Sequence, residues 1–345
     1  MPGIDMTYLQ KTMLDLLVIA SVGGDCDEAM KRIASEFEEL GVKTSVTKKG
    51  ALIGTISGKD KKNHRVVTAH VDTLGAVVRK IKENGRLALL QIGGFAWSSV
   101  EGENILVRTM DGREYSGVIL PEKASIHAFS ETVRETLRTD DTIEVRLDEV
   151  VSTAADVRSL GIEVGDFVFF QPRAVVTANG FVKSRFLDDK ACIAMLFAAI
   201  QAMKEGKKSL AATTHFYISN YEEVGHGVSF LPEETAEIVA LDVGIVAPGA
   251  NSSEMCVSIA ARDSRTPYDL AFRKRLVELA KKHDIDFRVD VYFRYGSDAS
   301  VGMTQGFNAN FACFGPGVDA SHHYERTHLR ALEESTKLLV AYLSE

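Results

Sequence analysis

The sequence predicts an α/β fold: a mostly parallel or mixed sheet with helices on both faces, carrying a second, β-rich domain inserted into one of its loops. Three observations lead there. At 345 residues the chain exceeds one small core. Its two ends alternate strand-like and helix-like segments, with acidic residues at the strand ends. Between residues 77 and 172 that rhythm stops, and short strand-like pieces separated by turn signals take over.

Taken in order, DEAMKRIASEFEELG places Met30, Ile33, Phe37 and Leu40 at helical spacing and stops at Gly41, so it reads as an amphipathic helix. KTSVTKK and ALIGTIS read as two strands joined near Gly50. HRVVTAHVD is a buried strand whose carboxyl end carries His70 and Asp72, where open α/β sheets bind ligands. RLALLQIGG, NILVRTM, EYSGVIL, TIEVRLD and DFVFFQP form the β-rich region, with SETVRETL and TAADVRSL as its helical pieces. DKACIAMLFAAIQAMKEG then reads as a buried helix, HFYISN as a strand ending at Glu222, and EIVALDVG as a strand ending at Asp242. The helix TPYDLAFRKRLVELAKKH, the strands FRVDVYF and NANFACFG, and the helix LRALEESTKLLVAYL complete the chain. Chemistry-bearing segments flank the β-rich region. Residues 77–172 are therefore expected as an insertion into a catalytic unit built from residues 1–76 and 173–345.

Five short segments carry that chemistry: AHVDTLG, LDDK, YEEVG, LDVG and SHHYE. His70 and Asp72, two apart at a strand end, point the same way, so His70 can ligate while Asp72 orients the imidazole. A hydrogen-bonded pair closing a strand explains them equally well. Asp188 and Asp189 precede a helix, where capping is one explanation and a carboxylate bridging two metal ions is the other. Glu222 and Glu223 end an apolar strand without basic partners, a costly placement unless a cation sits close. Adjacent residues diverge in direction, which makes Glu223 a ligand and Glu222 a free general base, with a solvated acidic turn as the other reading. Asp242 tips another apolar strand as ligand or loop cap, and His322 or His323 precedes the last helix. Histidines and carboxylates without thiolates suit zinc, cobalt or manganese at a catalytic site.

The composition is 45% hydrophobic and 26% charged, with a formal charge of −8 and a pI near 5.7. That balance argues against nucleic acid or an anionic membrane as partner. The amino-terminal stretch lacks the pattern of a signal peptide, and no apolar run is long enough to span a bilayer. Cys26, Cys192, Cys256 and Cys313 are scattered without a CxxC pair, which points to a reducing, cytoplasmic compartment. There is no GxSxG elbow and no HExxH helix.

AHVDTLG, LDDK, EEVG, ALDVG, YGSDA and SHHYERTH together resemble the cytosolic co-catalytic metallo-aminopeptidases, which include glutamyl, deblocking and tetrahedral (TET) aminopeptidases. The resemblance spans nearly the whole chain. It implies a phosphorylase/hydrolase-like α/β domain with an inserted small β-barrel (PDZ-like) domain, and a homo-oligomer of the tetrahedral dodecamer kind. It implies one ion held by His70, Asp188 and Glu223, and a second held by Asp188, Asp242 and His322. Glu222 would be the base that activates a water shared by the two ions. A cis peptide between Asp188 and Asp189 is also implied. The expected reaction is removal of the first residue from short peptides. A deblocking or deacylating dinuclear hydrolase and a non-catalytic shell protein are the alternatives. Cys192 stands where relatives usually have a small residue, and the last segment lacks their His-Ser-Pro form, which keeps His323 beside His322 as the candidate ligand. The side-chain preference is open among Arg262, Arg265, Arg294 and Asp263.

Overall fold

The computed structural model describes residues 2–345. A 12-stranded mixed sheet forms the main body, and a closed barrel of six strands forms the other. At the centre of the sheet lies Asp60–His70, paired in parallel with Ala212–Ser219 on one side and Thr235–Leu241 on the other. Thr235–Leu241 pairs in parallel with Asn310–Asp319, so four neighbouring strands send their carboxyl ends to one edge. The hairpin Lys43–Val46 and Leu52–Ile56 closes one side, with Gly50 at φ 88° in its turn. Antiparallel pairs through Glu325–His328, Phe181–Ser184 and Val175–Val176 close the other.

Alternation along the central strand divides the core in two. Val67 and Ala69 join the larger cluster and Val66 the smaller one on the opposite face. The larger cluster is roofed by Leu187–Glu205, a helix apolar on all sides and buried almost throughout. Met6–Leu17 and Leu329–Ser344 pack against that helix, and Asp27–Glu39 covers the hairpin side through Ile33 and Phe37. The short helix Asp298–Thr304 and the rings of Tyr217, Tyr268 and Tyr292 fill the smaller face.

The barrel runs Gly75–Ile81, Leu87–Ile92, Ile143–Leu147, Glu114–Pro121, Asn104–Arg108 and Phe167–Phe170, antiparallel at every pairing. Its interior is aliphatic, with Val78, Leu89, Val107, Ile119, Val145 and Val168 fully buried. The sequence expectation of a helix at SETVRETL, residues 130–137, is corrected to the single turn Thr132–Glu135, with a separate turn, Ile126–Phe129, before it. Ser130 breaks them apart at φ 50°. The helix Met6–Leu17, capped by Asp5, and the strands Val257–Arg262 and Glu325–His328 were not foreseen in the sequence. No helix among the described residues is long and apolar enough to cross a membrane, and all four cysteines are free and buried.

Candidate metal centre

The shared carboxyl edge of the parallel strands gathers the five segments. His70 ends its strand, Glu222 and Glu223 follow Ala212–Ser219, Asp242 follows Thr235–Leu241, and His322 follows Asn310–Asp319. Asp188 enters from the start of the long helix, where Phe186 at φ 68° and a cis Asp188–Asp189 peptide turn the two aspartates out of helical geometry. Neither carboxylate accepts an amide of the helix: Asp188 meets His70 and the Ser321 hydroxyl, and Asp189 accepts the His70 amide, so the capping reading of that pair does not hold.

Two groups of donors form around Asp188. One is His70, Asp188 and Asp242, and the other is Asp188, Glu223 and His322; within each, the donor atoms lie within 4.8 Å of one another. The division differs from the one the resemblance implied, since Asp242 stands with His70 and Glu223 with His322. Strand order alone does not divide them, since Ala212–Ser219 and Thr235–Leu241 both lie directly beside Asp60–His70; it is the turn after Ala212–Ser219 that brings the Glu223 carboxylate to within 3.4 Å of His322 Nε2. His70 Nε2 is 3.1 Å from Asp188 Oδ1, and His322 Nε2 is 3.6 Å from Asp188 Oδ2 and 3.4 Å from Glu223 Oε2. His323 is outside the cluster; its Nδ1 accepts from the Tyr324 amide at 2.7 Å.

The other acids take distinct places. Asp72 is fully buried, but its carboxylate is 3.6 Å from His70 Nδ1. The nearer partner of that nitrogen is the Asp72 carbonyl at 3.0 Å, so the main chain fixes the ring. The carboxylate instead accepts the backbone amides of Glu222 and Glu223, each at 3.0 Å. Asp189 accepts the His70 amide at 3.1 Å through Oδ2 and leaves Oδ1 without a partner. Glu222 belongs to neither donor group and sits 3.8 Å from His70 Nε2.

Two supporting acids escaped the sequence reading. Glu325 accepts the amides of Asp188 at 3.1 Å and His322 at 3.2 Å, tying both donors to one buried carboxylate. Asp298 accepts the hydroxyls of Thr68 and Ser219 and the Val228 amide, fixing the strand ends behind Glu222. Both lie in quoted segments, SHHYE and YGSDA. An acid preceding a helix or strand carries no signal of burial by itself.

The electrostatics fit divalent cations. Burial raises Glu222, Asp242 and Asp189 well above the ordinary carboxylate range, and neighbouring acids add to the rise. Burial likewise lifts Glu223 to about 7 and Glu325 to about 8. Burial also opposes charge on His322, yet Glu223 and Asp188 outweigh it and raise the imidazole to about 9. Without a cation, the cluster must hold protons to offset its own negative charge. Two histidines and three carboxylates in two groups sharing one aspartate are a donor set that zinc, cobalt or manganese accepts.

A cavity of about 840 Å³ opens over the cluster, lined by Asp188, Glu222, Glu223, Asp242 and His322 together with Arg265, Arg294 and Tyr295. Of the four charged residues left open by the sequence, Arg265 and Arg294 reach this cavity. Asp263 is buried and accepts from the Tyr268 hydroxyl at 2.9 Å.

The sequence model of one family, M42 glutamyl aminopeptidase, matches residues 50–338. A Bacillus subtilis (strain 168) protein named "Putative aminopeptidase YhfE" is 44% identical over 342 residues, covering 98% of this chain and 99% of that one. Among solved structures, a TET aminopeptidase from a marine-sediment Thaumarchaeota archaeon superposes with a TM-score of 0.89 at 18% identity, over 98% of this chain and 97% of that one. The TET1 peptidase of Pyrococcus horikoshii, described as assembling into a tetrahedron or a large octahedral shell, gives 0.85 at 21% identity, over 98% and 99%. At these identities the two structures speak for the fold.

Proposed function

The chain belongs to the M42 glutamyl aminopeptidase family and is a peptidase, and on that premise we propose that it removes N-terminal residues from short peptides at a dinuclear metal centre. The observation that carries this reading is the pair of donor groups sharing Asp188, with Glu222 unligated beside them. Two divalent ions held there would supply a Lewis acid for the scissile carbonyl and make a water nucleophilic at neutral pH. Glu222 takes the proton of the attacking water and returns it to the leaving amine. Glu222 stands in neither donor group and its carboxylate lies 3.8 Å from His70 Nε2, so it is free to handle that proton beside the ions. Asp72 holds Glu222 and Glu223 in register by accepting both amides.

Arg265 and Arg294 set the preferred residue. Both line the cavity, and neither forms an ion pair with a carboxylate among the described residues. A guanidinium presents a planar fork matched to a carboxylate, so the site favours an acidic N-terminal residue.

The family resemblance and the assembling fold neighbour support a homo-oligomer, and the four free, scattered cysteines support a reducing, cytoplasmic setting for it. Ile126, Phe129 and Leu137, exposed on the barrel insertion, are apolar surface that such an assembly would cover.

The test is hydrolysis of free-amine and acyl-blocked aminoacyl substrates by metal-stripped protein refilled with zinc or cobalt. Metal-dependent cleavage confined to free amines is the expected result. Cleavage of blocked substrates would move the reading to a deblocking or deacylating hydrolase, and silence across the panel to a non-catalytic shell.

A further inference from the structure

The two donor groups differ in what holds them. His70 is oriented by the Asp72 carbonyl and Asp242 by the backbone contact of its amide with Phe314, all within the sheet domain. The group of Asp188, Glu223 and His322 is gripped from the barrel. His322 Nδ1 lies 2.6 Å from the Gly94 carbonyl, which follows the barrel strand Leu87–Ile92. Gly93 beside it is at φ 78°, and a methyl group placed there would come within 3.6 Å of Glu223 Cβ, so this loop packs on a second donor.

The third point of contact is a buried ion pair. Glu103 is only 3% exposed, and its main chain is fixed in the barrel by contacts with Val100 and Ile119, each at 3.0 Å. Its Oε2 accepts from Arg185 Nη2 at 2.7 Å and Nε at 3.2 Å. Arg185 is 4% exposed, precedes Asp188 by three positions, and donates from Nη1 to the His323 carbonyl at 3.1 Å. One carboxylate of the barrel thus reaches the main chain on which His322 is mounted. His322 itself is at φ 64°, a left-handed conformation that a non-glycine residue keeps only when its surroundings hold it.

We propose that Glu103, acting through Arg185 and the His323 carbonyl, is a positioning residue for the metal ion held by Asp188, Glu223 and His322, so that this ion's affinity depends on the docked barrel and the other ion's does not. The inference rests on the dinuclear reading given above. Groups that orient a ligand without touching the metal commonly alter metal affinity by about 10- to 100-fold. Glu103→Gln keeps the shape of the side chain and removes its charge. Arg185→Lys keeps the charge and removes the fork that joins Glu103 to the His323 carbonyl.

The experiment titrates full-length, metal-stripped protein with zinc against a competing chelator, for the wild type, Glu103→Gln, Arg185→Lys and each variant combined with His322→Ala. One of the two dissociation constants should weaken by about 10- to 100-fold in each single variant while the other stays within about twofold. In the His322→Ala background, neither substitution should change the remaining constant. Arg173→Ala removes the exposed second partner of Glu103, 2.9 Å away, and should leave both constants in place. Unchanged constants in a folded Glu103→Gln or Arg185→Lys variant would overturn the proposal, as would equal weakening of both. If Glu103→Gln does not fold, Arg185→Lys decides the matter alone, and a misfolded pair would assign the link to folding instead. A wild type that binds fewer than two ions would refute the dinuclear reading itself, a result distinct from two ions bound and insensitive to Glu103.

Discussion

Asp72 Oδ1 accepts the backbone amide of Glu222 at 3.0 Å, so the buried aspartate governs where the unligated glutamate can point without touching a donor group's metal position. Because the main chain and not the Glu222 side chain carries that bond, substituting the side chain leaves the turn intact. Glu222→Gln should keep the fold and both metal ions and lose about 10²- to 10⁴-fold in turnover, the range for removal of a general base. Turnover within a few-fold of wild type, measured at saturating metal, would remove Glu222 from that role.

Asp188 stands in both donor groups, whereas His322 stands in one and His323 in neither. Metal analysis of dialysed protein should therefore find both ions weakened in Asp188→Asn, one lost in His322→Ala, and full occupancy in His323→Ala. A loss in His323→Ala equal to that in His322→Ala would contradict the grouping.

The two cavity arginines predict a change of selectivity rather than a general loss. Arg294→Ala or Arg265→Ala should lower kcat/KM for substrates with N-terminal glutamate or aspartate by about tenfold, or about 1.4 kcal/mol. Values for N-terminal leucine or alanine should stay near wild type. Parallel loss on acidic and apolar substrates would assign the arginines to the structure of the site.

At the opposite ends of the same strands, His215 Nε2 lies 3.0 Å from His64 Nδ1, and its Nδ1 lies 2.9 Å from the Thr55 hydroxyl. Burial, with the charge of His64 added, lowers His215 to about 4. The folded state thus resists protonation that the unfolded chain accepts near pH 6.5. The stability this contact contributes is complete above about pH 6.5 and declines as the pH falls toward 4, by about 1–3 kcal/mol. Urea unfolding at pH 7 and pH 4.5 should show a shallower acid loss in His215→Gln than in wild type. An identical loss in both would place the acid sensitivity elsewhere.

How far the sequence carries the argument depends on the kind of residue. The strand HRVVTAHVD and the all-apolar helix after Asp189 announce themselves by composition, and the donors stand at strand ends where a parallel sheet puts its ligands. Of the two histidines left open by the sequence, His322, the one the resemblance implies, lies in the cluster and His323 lies outside it. The partition of donors is not legible in the sequence, because it depends on where the turn after Ala212–Ser219 carries the Glu223 side chain relative to the His322 loop, a contact between segments about a hundred residues apart. Glu325, Asp298 and Glu103 were missed for a related reason: each is an ordinary acid locally and becomes special only when main-chain amides, hydroxyls or an arginine from distant segments converge on it. Asp72 was read as the orienter of His70, whereas the carbonyl of the same residue does that work.

The position of Asp60–His70 between Ala212–Ser219 and Thr235–Leu241 has a consequence for the order in which the molecule is made. Both neighbours are translated more than a hundred residues after it, on the far side of the barrel. A nascent chain emerging from the ribosome therefore carries its central strand with two bare edges while the barrel, whose strands are contiguous between Gly75 and Phe170, can already close. The hydrolytic edge of the sheet is completed last, when Asn310–Asp319 and the segment bearing His322 arrive. A peptidase built in this sequence has no assembled site until the segment bearing His322 has been made.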